Sequence, residues 1–162
     1  VPMAKPTRNA ALICGILTVI AALGAAASIY WTQPLAVIIA ALPAAAYELY
    51  RTEGFSTRLA SAGVLAVLVA EIVLVVGKIE INIARFVAKY TGSMPVVDAK
   101  LAGPVVIALL AIMLVRRTAG IYTKWLAVVL LGSAVALFYT LDPALIAKFI
   151  TPALQEGARH IK

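Results

Sequence analysis

Charge is scarce in this chain. Of its 162 residues, 13% are Asp, Glu, Lys or Arg, against 64% hydrophobic. A soluble domain carries roughly 25% charged and about 45–50% apolar residues. There is too little polar surface here to cover a folded core in water, so a bilayer has to solvate the outside. Acidic residues are the scarcer sign, 7 against 14 Lys and Arg, which leaves a net charge of +7. The basic residues are spread over helix ends and linkers, with no dense patch or recognition motif. They match anionic lipid headgroups, not nucleic acid.

Cysteine and histidine are nearly missing as well, one of each. Cys14 lies inside the first apolar run, has no intrachain partner for a disulfide, and reads as a packed, inert thiol. Nothing follows from it about a redox compartment. His160 stands alone in the C-terminal tail. A bis-histidine haem within one chain is therefore excluded, and no Cys/His cluster has zinc spacing. No serine or acid is patterned with His160 as a triad requires. The sequence also lacks a P-loop, a dinucleotide-binding glycine fingerprint, a paired-aspartate motif, a potassium-filter loop and a voltage-sensor arginine repeat. No cofactor, metal or catalytic residue is expected, and nothing argues for an enzyme.

Long apolar runs are what the chain does have. They predict an all-α integral membrane protein, a single polytopic domain over 1–162 with about five transmembrane helices. The first run, 10–31, exceeds the ~7–15 residues of a signal-peptide core and reads as a span; Met3 reads as the natural start. It ends in Tyr30-Trp31, residues suited to a membrane interface. Thr32 and Gln33 then separate it from Pro34, which opens the second run, 34–50. Proline is tolerated at a first helical position, so a tight antiparallel hairpin is expected. Pro43 near the middle of the second run predicts a kink, whose freed carbonyl needs another partner in lipid.

The third run begins near Leu59, stays apolar to Gly77, and its helical pattern extends to 90. A helix over 59–90 would be ~48 Å long, more than the ~30 Å hydrocarbon core, so one end would project. The fourth run, 101–116, is short, with Asp98 a plausible N-cap ahead of it. The fifth, 121–141, carries aromatic residues at both ends. Asp142-Pro143 then introduces a tail read as an amphipathic interfacial helix. Small residues at four-residue spacing (Ala22/Ala26, Ala62/Ala66/Ala70, Gly132/Ala136) suggest close helix packing. Five spans put seven Lys and Arg on each side of the membrane. The N-terminal set lies nearer its span ends, which tips the orientation toward an inside N-terminus.

One helix carries the candidate site. On a helix of 3.6 residues per turn, Glu71, Lys78, Asn82, Arg85 and Lys89 share a sector of about 60°, while Glu80 stands opposite. Lys78, Asn82, Arg85 and Lys89 suit a helix leaving the bilayer on one polar edge. Glu71 is too deep for that. A mid-bilayer carboxylate costs ~2.5–3.5 kcal/mol on insertion scales and usually faces a bundle interior or a wet cavity. Lys78 is ~10.5 Å away along the axis, so Glu71 is either protonated or partnered by another helix or subunit. Glu48, near Arg51 and Thr52, reads as half of an interfacial ion pair. Asp142 reads as a cap or turn residue.

Two functions fit. In one, a small oligomeric channel or transporter subunit uses the Glu71–Lys89 edge to line a pathway. There Glu71 binds the ion or proton, and Lys78, Arg85 and Lys89 form a cationic mouth. In the other, a non-catalytic structural or assembly subunit docks the same edge on a partner in a larger membrane complex. The expected partners are anionic lipid and either further copies of the chain or membrane-complex proteins. The expected location is a bacterial-type inner membrane.

Overall fold

The computed structural model describes residues 8–79, 99–144, 147 and 151. Their regular structure is helical throughout. Five long helices follow in order: α1 (Ala10–Trp31), α2 (Pro34–Arg51), α3 (Phe55–Val76), α4 (Ala99–Arg117) and α5 (Ile121–Leu141). Four of them, α1, α2, α3 and α5, are long and apolar enough to cross a membrane. The expected tail helix lies almost wholly outside the described residues; Pro143, Ala144, Ala147 and Thr151 within it are helical.

The connections have local physical causes. Helix α1 stops because Thr32 turns left-handed at φ 52°, and the N–H groups of Thr32 and Gln33 both return to the Ser28 carbonyl. Such a closure satisfies a carbonyl that the helix end would leave bare. The Ser28 hydroxyl adds a bond to the Gln33 carbonyl at 2.8 Å, and Pro34 starts α2 as its first residue. The α1–α2 hairpin is thus as tight as the sequence suggests. A Cβ added at Gly24 would land on the Ala40 methyl of α2, so glycine sets how closely the two helices approach.

Helix α2 runs on through Pro43, which is exposed. The carbonyl that loses its partner is that of Ile39, on the same outward side of the helix. Between α2 and α3, Gly54 sits at φ 105°, a conformation open to glycine, and the Thr57 hydroxyl closes the turn on the Glu53 and Gly54 carbonyls.

The third helix departs from expectation. It does not continue to 90 but ends at Val76, where the Ile79 N–H reaches back to the Leu74 carbonyl at 3.2 Å and Lys78 is left-handed at φ 48°. This is the same type of closure as at Thr32. At 22 residues α3 is already ~33 Å long, enough for one crossing, so no projecting extension of the same helix is required.

Each helix contacts the next, and α1 closes on α5, forming a ring; α2 and α5 also touch across it. Helix α1 therefore lies on one side of the α2–α5 pair, and α3 and α4 lie on the other. Ile38, Val64, Leu68, Ile107, Ala111, Leu114, Leu126 and Leu130 form the apolar centre. Lipid tails are as apolar as these side chains, so close packing is what holds the centre together, more than exclusion of water. The small residues do not all serve that packing. Ala22, Ala26, Ala66, Ala70 and Gly132 are exposed on the outer surface. Helix α3 instead packs through Ala60, Ser61, Val64, Leu68 and Glu71.

Candidate functional site

Glu71 belongs to the inward face of α3, in line with Thr57, Ser61, Val64 and Leu68. It is 1% exposed. What lies across from it is Gly103 of α4: a Cβ there would fall on the Glu71 carboxyl. The residue opposite must therefore lack a side chain for the carboxyl to fit. Pro104, buried beside it, lies inside α4 and has no N–H to give to the Lys100 carbonyl one turn back. Lys100, one turn earlier on α4, is the cation whose charge reaches Glu71. The Oε2 atom has no hydrogen-bond partner among the described residues. An unmatched oxygen at this burial is costly, and buried groups of this kind usually mark a bound water, an ion or a function.

A second buried carboxyl lies nearer the opposite end of the bundle. Glu48 is 0% exposed and Arg51 4%, so the pair expected at the interface is inside the protein. The i, i+3 spacing puts both on the inward face of α2. The Arg51 guanidinium lies over the rings of Tyr47, 5.9 Å from its centroid, and Tyr122 of α5, 5.4 Å away. Its charge also reaches the Cys14 thiol of α1. Both Glu48 carboxyl oxygens and the Arg51 Nε and Nη1 atoms have no hydrogen-bond partner among the described residues. Thr52 donates to the Glu48 backbone carbonyl at 2.5 Å and meets the Ser61 hydroxyl of α3 at 3.2 Å.

That last contact sets the relative depth of the two carboxyls. Glu48 lies one turn, about 6 Å, beyond Thr52, and Glu71 about 15 Å beyond Ser61 along the antiparallel α3. Their levels differ by about 9 Å, with Leu68 and the apolar centre between them. Each can hold a proton or a small cation. Among the described residues no group of three His, Cys, Asp or Glu side chains is placed to hold a metal ion.

Of the residues that the helical stripe joined, the structure describes Glu71 and Lys78, and it separates them. Glu71 is interior, whereas Lys78 is exposed beyond the end of α3, so the two share no helical edge. Asn82, Arg85 and Lys89 lie outside the described residues. Asp142 takes the expected cap position, its N–H bonded to the Phe138 carbonyl. Sequence reasoning missed Gly103, Lys100, Ser61 and Tyr122. Gly103-Pro104 inside the fourth apolar run was a usable signal, since a glycine there leaves room for something to approach.

The comparisons return nothing to set beside this geometry: no protein-family model, no curated protein and no solved structure matches the chain.

Proposed function

We propose that the protein is a small membrane channel or transporter subunit in which Glu71 is the ion- or proton-binding group. The observation that carries this reading is a wholly buried carboxyl, set against the bare backbone of Gly103, with one oxygen lacking a donor. Ionisable groups inside a membrane are expensive and are associated with ion pathways and proton relays. Because Glu71 faces α4 of its own chain, the pathway runs along the α3–α4 seam, not along a polar edge shared between copies. All five helices cross a bacterial-type inner membrane in this reading. Helix α4, at 19 residues, is ~28 Å long, close to the ~30 Å of a hydrocarbon core. Further copies of the chain pack on the outer faces.

The test is flux of protons and of monovalent cations in vesicles reconstituted with the wild-type chain and with Glu71→Gln. The substitution is expected to change flux, or its pH dependence, while the purified protein keeps its assembly state. Unchanged flux at every pH removes the proposal.

One observation favours an assembly subunit instead. Ala66 and Ala70 of α3 and Ala22 and Ala26 of α1 face outward, and small outward residues let another helix approach closely. In that case bulky residues at Ala66 and Ala70 release co-purifying membrane proteins after mild detergent extraction, Glu71→Gln leaves them bound, and flux stays at background.

A further inference from the structure

Helices α1 and α5 run parallel: Thr18 meets Trp125 through an indole N–H to hydroxyl bond of 2.8 Å. On the outer surface the two helices do not close on each other. One hollow of about 290 Å³ is lined by Gly15, Thr18, Tyr122 and Trp125 among others. A second, of about 270 Å³, continues from Thr18 past Ala22 and Ala25 to Gly132 and Ser133. The glycines keep this groove open. A Cβ at Gly15 or at Gly132 would meet nothing within 4 Å, in contrast to Gly24 and Gly103, where glycine is needed for contact.

The groove has a direction. From Ala11 to Ala25 it runs about 21 Å, more than the ~15 Å that is half of a hydrocarbon core. Its outer end lies at the starts of α1 and α5, where Arg8 and Lys124 are exposed. The exposed ring of Tyr122 stands in the outer hollow, and the exposed indole of Trp125 lies midway along the groove, at the level of Thr18. Its inner end is apolar and small. The Trp125–Thr18 bond crosses between the two hollows, leaving narrow troughs where a helix of ~10 Å diameter would need a broad, continuous face. Positive charge and a tyrosine ring toward the mouth, with a thin apolar trough behind, match an amphiphile with an anionic head.

We propose that the α1–α5 groove is a binding site for an anionic phospholipid, with an acyl chain lying in the outer hollow along Gly15 and passing over the Trp125 indole toward Ala22 and Gly132, and the phosphate held at Arg8 and Lys124. This rests on the groove alone and is independent of Glu71.

Trp125 is the reporter. Trp31, at the far end of α1, is replaced by Phe so that a single tryptophan remains, and the protein is reconstituted in vesicles containing brominated lipids. Brominated phosphatidylglycerol is expected to quench Trp125 at a mole fraction about fivefold lower than brominated phosphatidylcholine does, the preference of roughly one basic residue at the surface. Gly15→Leu with Gly132→Leu fills the groove, and quenching by the anionic lipid should then fall to the level set by bulk composition. Arg8→Gln with Lys124→Gln should abolish the headgroup preference without touching helix packing, so the proposal is testable even where the filled variant folds poorly. Equal quenching by both lipids overturns the proposal. So does quenching of the single-tryptophan protein that the filled variant leaves unchanged, or shielding of Trp125 from both lipids by a second copy in the groove.

Discussion

The carboxyl of Glu71 occupies the space that a Cβ on Gly103 would need. This relationship joins the two helices of the proposed site. Gly103→Ala should therefore cost about 1–3 kcal/mol, the usual range for overpacking, measured as a lowered midpoint in detergent unfolding. Glu71→Ala in the same background should recover much of that loss. A double-mutant cycle with no coupling between positions 71 and 103 contradicts the packing described.

Glu48 and Arg51 are both buried, close enough for the arginine charge to act on the carboxyl but with no hydrogen bond to either of its oxygens. Arg51→Met alone should cost about 3–5 kcal/mol, since it leaves a buried acid without its compensating cation. The double variant Glu48→Met/Arg51→Met should return close to wild-type stability, because well-packed apolar residues replace such pairs at little cost. Thermal unfolding of the three variants in detergent distinguishes this from a surface pair, for which each single change would be nearly silent.

The glycines of α1 should differ sharply. Gly24→Ala forces a Cβ onto Ala40 and is expected to loosen the α1–α2 hairpin by about 1–3 kcal/mol, with Ala40→Gly restoring it. Gly15→Ala meets no neighbour within 4 Å and should change stability by less than about 0.5 kcal/mol, as an open surface site does. Chemical denaturation of the two single variants side by side checks the contrast.

The Trp125–Thr18 hydrogen bond ties α5 to α1 at 2.8 Å. Trp125→Phe or Thr18→Val should each cost on the order of 0.6 kcal/mol, the average for hydrogen bonds between membrane helices. Their combination should cost less than the sum, since both remove one bond. Strict additivity in unfolding experiments shows that the bond is not formed.

Helix positions were legible because hydrophobic length is a local property. The apolar runs at 10–31 and 121–141 became α1 and α5 with unchanged limits, and Thr32-Gln33-Pro34 became the expected turn. The third helix was misjudged because periodicity carried the pattern across Gly77, while the chain closes its helix there with Lys78 in a left-handed conformation. Once that closure exists, residues 71 and 78 are no longer related by helical angle, and no helical edge joins those two.

Depth and company are different kinds of information. From the sequence alone came an all-helical protein too apolar for water, and a carboxyl at position 71 too deep to be an interfacial residue. Those conclusions rest on composition and on distance along the chain. The tertiary structure alone decided that Glu71 faces Gly103, that Glu48 and Arg51 are interior, and that Gly15 and Gly132 open a groove while Gly24 closes a contact. Which face of a helix is inward depends on which neighbours it has, and no stretch of sequence carries its neighbours with it.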